Sequence, residues 1–204
     1  MRLALDHLAV AAETLAAGRA MVEAALGVRL DEGGRHAHFG THNLLLGLGE
    51  GIYLEVIAVD PAAPAPQRSR WFGLDRFAGR PRPVAWICRT DDLDAALAGF
   101  PDAGEPVALS RGDLRWRMAV PASGMLPFDN AFPALIAWQG AGHPAARLAP
   151  SGCRLKRLEV AHPEAEALQA RLAPVLDDAR VIFVPGPGGL RAEFETPRGR
   201  RWLQ

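Results

Sequence analysis

The spacing of apolar residues changes twice within the first 60 positions, and the changes predict a strand, a helix and a group of short strands. Residues 3–10 have β-type composition, and residues 15–26 carry apolar side chains at helical spacing. Thr14 is suited to cap the start of this helix, and Gly27 is suited to end it. Short apolar runs separated by glycine-containing turns then predict four strands, at 28–30, 36–39, 43–48 and 52–59.

The same order of elements recurs twice further along the chain, with an offset of roughly 70 to 80 residues. A connector rich in Pro, Ala and Arg separates the first two rounds, and its aromatic residues are expected to pin it to the body. The third round has fewer strands. The predicted divisions are a βαβββ module at 1–60, the connector at 61–83, a second βαβββ module at 84–142 and a truncated βαββ module at 143–204, which together can also form one compact domain.

Helices that share one face with antiparallel strands predict an α+β fold. The expected architecture is a pair of tandem βαβββ modules that form a cupped, mostly antiparallel mixed sheet, with helices on its outer face and a truncated third module. With 49% hydrophobic residues in 204, the chain has enough apolar side chains for a substantial core.

Composition also excludes several classes of function. The formal net charge is zero and there is no Lys/Arg-rich run, so nothing favours nucleic-acid binding. Cys88 and Cys153 are far apart and belong to no CxxC pair, which favours a reduced chain. No run approaches about 18 apolar residues, so no membrane span is predicted. The N-terminal residues do not resemble a signal peptide, and we expect a cytoplasmic protein.

His7 and Glu55 are the strongest candidates for a functional pair. Each lies in an apolar, strand-like run, one on the first predicted strand and one on the last strand of the first module. If the two strands pair, about 4.8 Å apart, the side chains can face one cavity. An imidazole and a carboxylate can be half of a mixed N/O metal site or an acid–base pair for proton transfer.

Several short motifs, taken in order, resemble the vicinal oxygen chelate superfamily and specifically its glyoxalase-like branch. They run over nearly the whole chain: Asp6-His7, Gly34-Arg35-His36, Gly40-Thr41-His42-Asn43-Leu44-Leu45, Tyr53-Leu54-Glu55, Trp71-Phe72-Gly73-Leu74, Ser110-Arg111, Leu114-Arg115-Trp116-Arg117, Pro127-Phe128 and Pro197-Arg198-Gly199. The resemblance implies a cup made of two modules. It also implies a divalent metal such as Zn, Fe, Mn or Ni, with one ligand from the first and last strand of each module. Lyase, isomerase, dioxygenase or drug-sequestering functions would follow.

The second module departs from this pattern. Alignment of the two modules puts Trp86 and Ala137 at the second pair of ligand positions, and neither side chain can coordinate a metal. The predicted metal site is therefore incomplete, with His7 and Glu55 as its only ligands. His36 and His38 alternate onto one face of a predicted strand, where they would be extra ligands or part of a solvated hairpin.

The remaining candidates concern binding of a substrate. Trp86 and Trp116 are predicted walls of the pocket, and Arg111 is suited to anchor a carboxylate. The sequence thus predicts a glyoxalase-like enzyme for a small molecule, with His7 and Glu55 as catalytic residues. The alternative is a non-catalytic protein that binds or sequesters a small molecule. A homodimer is compatible with both.

Overall fold

The computed structural model describes all 204 residues. The first module comprises β1 (Ala4–Ala11), α1 (Leu15–Leu26), β2 (Asp31–His36), β3 (Thr41–Gly47) and β4 (Tyr53–Val59). The second comprises β5 (Arg82–Arg89), α2 (Leu93–Gly99), β6 (Glu105–Arg111), β7 (Leu114–Val120) and β8 (Ala134–Gln139). The eight strands form one curled, mixed sheet in the order β2-β3-β4-β1-β5-β8-β7-β6. The predicted α+β class is confirmed.

Helix α1 has the predicted bounds because its capping residues act as expected. The Thr14 hydroxyl accepts a hydrogen bond from the Ala17 N–H at 3.1 Å, and Gly27 adopts a left-handed conformation with φ of 72°. The buried face of the helix includes Gly18, where an added Cβ would lie only 2.4 Å from a Val56 methyl group. The glycine therefore allows α1 to pack closely on β4.

The two faces of the sheet bury separate apolar cores. The convex face packs against the helices and includes Leu5, Leu8 and Trp86. The concave face includes Ala9 and Trp116 and forms the inside of the cup. The connector closes part of this cup through a 3-10 segment, Trp71–Arg76, in which both Trp71 and Phe72 are buried. A cavity with polar and aromatic walls remains on the concave side.

One prediction for the first module is wrong. Residues 28–30 and 37–39 lie outside any strand, and a single strand, β2, runs from Asp31 to His36 with Gly33 and Gly34 inside it. Its pairing with β3 is irregular between Glu32 and Arg35. Its polar, glycine-rich composition lacks apolar alternation, so the strand depends on pairing with β3.

The C-terminal unit has the predicted βαββ order of elements and one further strand. It contains β9 (Arg154–Ala161), α3 (Ala165–Leu172), β10 (Val181–Val184), β11 (Gly189–Thr196) and β12 (Gly199–Leu203). These strands form a separate sheet in the order β10-β9-β11-β12. In both modules the first strand pairs in parallel with the last, whereas β9 pairs in parallel with β10, which directly follows the helix. This unit shares the core of the convex face, through residues such as Leu158 and Phe194.

No helix in the structure combines the length and apolar character needed to cross a membrane.

Candidate active site

A small cavity lies on the concave face of the sheet, between the two modules. We call it the central cavity. The space open to a water-sized molecule is about 30 Å³, enough for an ordered water or the reacting end of a ligand. Its polar walls are His7, His36, Asn43, Glu55 and Arg111. Its aromatic walls are Tyr53, Trp71, Phe72, Trp116 and Trp138.

A β-bulge at Asp6 turns His7 into this cavity. Pairing between β1 and β5 shifts register between Leu5 and His7, so Asp6 is an extra residue in the strand. Leu5 and Leu8 both contribute to the convex core, although strict alternation would put residues three apart on opposite faces. The bulge resolves this conflict, because it places the adjacent side chains of Asp6 and His7 on the concave side.

Asp6 is a fully buried carboxylate with several partners. Its Oδ1 lies 2.6 Å from His7 Nδ1, and its Oδ2 accepts hydrogen bonds from Trp138 Nε1 at 3.1 Å and His143 Nε2 at 3.0 Å. Arg89 adds a positive charge 3.6 Å from Oδ2. Burial by itself would raise the pKa of Asp6, but the hydrogen bonds from His143 and His7 outweigh it and hold this pKa well below its usual range. Asp6 is therefore ionised and only accepts hydrogen bonds.

His7 and Glu55 meet in the central cavity because β1 and β4 are parallel neighbours. In this pairing His7 is opposite Tyr53, and Ala9 is opposite Glu55. His7 stacks on the Tyr53 ring with 4.3 Å between centroids, and its Nε2 lies 3.8 Å from Glu55 Oε2. Since Asp6 accepts the proton of Nδ1, the other ring nitrogen, Nε2, is the one directed at Glu55.

Asn43 connects Glu55 to Arg111. The Asn43 amide donates to Glu55 Oε1 at 2.5 Å. Its oxygen accepts from the Gly34 N–H at 2.7 Å and from Arg111 Nη1 at 3.1 Å. Two donors at the oxygen fix the orientation of the amide. An added Cβ at Gly33 would lie 2.1 Å from this oxygen, so the Gly33-Gly34 pair makes room for the network.

His36 is buried beside Arg111 and stays neutral. Its Nδ1 lies 3.0 Å from Thr41 Oγ1, and its Nε2 lies 3.3 Å from Arg111 Nη1. Burial and the positive charge of Arg111 lower the pKa of His36 to about 3. A neutral His36 can accept a hydrogen bond from Arg111 and thereby hold the guanidinium at the cavity. His38, by contrast, is exposed on the hairpin.

The structure brings four of the five predicted site residues together. His7, Glu55, Arg111 and Trp116 all line the central cavity. Trp86 does not: it is fully buried in the convex core, where its Nε1 donates to the Ala131 carbonyl at 2.8 Å. The prediction of Trp86 as a pocket wall is corrected, because the bulge at Asp6 shifts the two modules by one residue relative to the expected alignment.

The same shift changes the second-module positions that correspond to His7 and Glu55. Ile87 and Ile136 occupy them, in place of the predicted Trp86 and Ala137, and both face the concave core. Neither isoleucine can bind a metal.

The residues present do not fit a resident divalent metal. Only His7 Nε2 and Glu55 offer converging donors, whereas a mixed N/O site normally needs three or more protein ligands. The other nitrogen of His7 is engaged by Asp6, and the Arg111 guanidinium supplies a positive charge at the same cavity.

Sequence reasoning missed Asp6, Asn43 and His143 as parts of the site. Asp6 could be recognised only as the neighbour of His7, because no local sequence pattern predicts a β-bulge. Asn43 follows Gly40-Thr41-His42, and this composition is typical of a turn. His143 lies in a loop after β8, 136 positions beyond His7 by residue number, and no local pattern connects it with the first strand.

Comparison with known proteins identifies the family. A family model described as a glyoxalase-like domain matches residues 5–176. No curated protein matches the chain. A hypothetical protein from Staphylococcus aureus has a similar structure, with a TM-score of 0.64 and 14% identity over 92% of this chain and 88% of its own.

Methylmalonyl-CoA epimerases are also among the structural matches, at lower similarity. The Mycobacterium tuberculosis enzyme has a TM-score of 0.44 and 21% identity over 68% of this chain and 88% of its own. A Streptomyces coelicolor variant in complex with 2-nitronate-propionyl-CoA has a TM-score of 0.45 and 16% identity over 70% and 100%. The family model covers most of the chain, and the chain belongs to the glyoxalase-like domain family of the vicinal oxygen chelate superfamily.

Proposed function

We propose that this protein is a small-molecule enzyme that transfers a proton at a carbon next to a carbonyl group. The observation that carries the proposal is the arrangement of Glu55 in the central cavity. One carboxylate oxygen is held by Asn43, and the other faces the Nε2 of a histidine whose opposite nitrogen is held by Asp6. A base and a second proton carrier are thus fixed side by side in a site with little room for water.

In the proposed reaction, Glu55 Oε2 takes the proton from the substrate carbon. The electron pair of the broken C–H bond moves onto the carbonyl oxygen and forms an enolate. His7 Nε2 lies 3.8 Å from Oε2, so the two groups can reach adjacent atoms of one substrate. Return of the proton to the same or the neighbouring carbon completes an exchange or an isomerisation, and no oxidant is consumed.

Arg111 is the proposed anion anchor. One of its Nη atoms is held by His36 and Asn43, and the guanidinium has further N–H donors for an oxygen of the substrate. Trp116 and Trp138 supply flat apolar walls, with 5.4 Å between ring centroids. A cavity of about 30 Å³ accepts only the reacting end of a substrate. We therefore expect small carbonyl compounds to be the best first probes.

Deuterium incorporation tests the proposal directly. Pyruvate, dihydroxyacetone and acetoin are incubated with the enzyme in D₂O, and loss of the C–H signal is followed by NMR. We expect enzyme-dependent exchange with at least one compound, reduced about 100-fold or more in Glu55→Gln. The matched control, Glu105→Gln, makes the same chemical change at an exposed position and should keep the wild-type rate. Exchange that is absent with every compound, or unchanged in Glu55→Gln, contradicts the proposal.

The alternative is a protein that binds a similar ligand without turnover. The apolar residues Ile87 and Ile136 at the second-module positions, and the aromatic walls, favour it. A ligand that binds only the native state raises the melting temperature. A thermal shift with one of the same compounds, combined with no deuterium exchange, would support the binding protein over the enzyme.

A further inference from the structure

Asp6 is shared by two histidines that belong to different cavities. His7 lines the central cavity. His143 lines a second, more open cavity of about 490 Å³, on the loop that follows β8. Trp138 lines both cavities and stands between them. The buried carboxylate of Asp6 therefore connects the central cavity with a larger cavity that is more open to solvent.

The hydrogen bonds fix the direction of this link. The Ala145 N–H donates to His143 Nδ1 at 3.2 Å, so that nitrogen is an acceptor and the proton of the neutral ring lies on Nε2. His143 Nε2 then donates to Asp6 Oδ2 at 3.0 Å. The other oxygen, Oδ1, lies 2.6 Å from His7 Nδ1. Because the ionised Asp6 carboxylate only accepts hydrogen bonds, His7 Nδ1 is the donor in this contact.

Trp138 and Arg89 support the same carboxylate. The indole Nε1 donates to Oδ2 at 3.1 Å, and the guanidinium lies 3.6 Å from this oxygen. Both oxygens of Asp6 are engaged, so the carboxylate has little freedom to rotate. Removal of the His143 bond would leave Oδ2 with Trp138 as its only close donor, and the plane of the carboxylate would be less firmly set.

We propose that Asp6 and His143 are positioning residues, and that His143 acts on His7 through the carboxylate it shares with it. They keep the His7 proton on Nδ1 and Nε2 directed at Glu55. This inference rests on the proposed proton transfer for its effect on rate, although the hydrogen-bonded arrangement itself can be tested without a substrate. Neither residue lines the central cavity. Asp6 contacts His7 at Nδ1, and His143 contacts Asp6.

The kinetic test uses His143→Ala, His143→Gln and the control His38→Ala, which removes an exposed histidine outside the network. In the deuterium-exchange assay, His143→Ala should lower kcat about tenfold and leave KM within about twofold, as expected for loss of a supporting hydrogen bond. Added imidazole should restore part of kcat, because the cavity beside residue 143 is open to solvent. The Gln variant, whose amide can donate to Asp6, should retain more activity than the Ala variant. The control should match wild type.

A wild-type kcat in His143→Ala overturns the proposal. So does a kcat that falls but responds neither to imidazole nor to the Gln substitution, since that pattern indicates a merely structural role.

Nitrogen NMR separates this inference from the proposed function. In the protein labelled with ¹⁵N-histidine, His7 should carry its proton on Nδ1 in the wild type, and the other tautomer should gain population in His143→Ala and in Asp6→Asn. If the wild type exchanges none of the probes, the proposed function fails while this measurement still decides the inference. His7 signals that are identical in the wild type and in His143→Ala overturn it. Should the Ala variant fail to fold, the comparison is made with His143→Gln and Asp6→Asn.

Discussion

Asp6 and His7 are consecutive residues of one strand, yet their side chains lie on the same face and share a 2.6 Å hydrogen bond. This relationship predicts a large role for Asp6 in stability. Asp6→Ala would leave Trp138, His143 and His7 without their common acceptor, and it should lower the free energy of unfolding by about 3 kcal/mol or more. Chemical denaturation measures the change. The control Asp91→Ala removes an exposed carboxylate and should be nearly neutral. Equal losses in the two variants would contradict the prediction.

The close approach of Gly33 to Asn43 gives a second prediction. A Cβ at Gly33 would lie 2.1 Å from the Asn43 side-chain oxygen and 2.5 Å from its carbonyl oxygen. Gly33→Ala should therefore cost about 1–3 kcal/mol of stability and reduce deuterium exchange, because Asn43 must move away from Glu55. Gly99→Ala is the control, since a Cβ there meets nothing within 4 Å. The prediction is wrong if Gly33→Ala is as stable and active as Gly99→Ala.

The buried, neutral His36 predicts a pH dependence of stability. The pKa of His36 is about 3 in the native protein, compared with 6.5 for a histidine in water. Below about pH 6.5, His36 therefore binds a proton in the unfolded chain but not in the native protein. The native state is thus destabilised as the pH falls. Between pH 6 and 4, the stability of the wild type relative to His36→Asn should decrease by about 1.4 kcal/mol per pH unit. Denaturation curves across this range test it, and a constant difference would rule it out.

The small number of metal-binding groups in the central cavity predicts a low metal content for the purified protein. Because only His7 and Glu55 converge and Arg111 lies at the same cavity, we expect clearly substoichiometric Zn, Fe, Mn and Ni. Elemental analysis of the wild type and of His7→Ala should give the same low values. One equivalent of any of these metals in the wild type, lost in the variant, would show that the ligand set is larger than these two residues.

The two tryptophans expected from the sequence to form the pocket should behave differently. Trp86→Phe removes a donor and volume from the convex core, and we expect it to cost about 1–3 kcal/mol without changing the KM for any exchanged probe. Trp116→Phe changes the wall of the central cavity and should alter KM. Thermal denaturation and exchange kinetics on both variants provide the comparison. A reversed pattern would place the site on the other side of the sheet.

Features that depend on local sequence could be predicted, whereas features that depend on strand pairing could not. Helix α1 was predictable because its apolar stripe and both caps are local. Strand β2 was not, since its polar, glycine-rich residues become a strand only through pairing with β3. The pairing of His7 with Glu55 followed from strand order, whereas the bulge at Asp6 did not. Because a one-residue slip moves a side chain to the opposite face, that single bulge was enough to misplace Trp86.

The rest of the candidate site depends on contacts between distant parts of the chain. Arg111 meets Asn43 across 68 positions, and His143 meets Asp6 across 137. The periodicity of apolar residues contains no information about such distant pairs, so only the folded structure shows that they belong to the network around Glu55.

Arg111 also has a consequence for the behaviour of the folded chain in concentrated solution. It extends from β6, at one end of the eight-stranded sheet, and contacts the residues of β2 and β3 at the other end. The two outermost strands therefore face each other, where they are screened from the strands of neighbouring molecules. If the contact between Arg111 and Asn43 were lost, the outermost strands β2 and β6 would be exposed. We then expect self-association into aggregates before global unfolding.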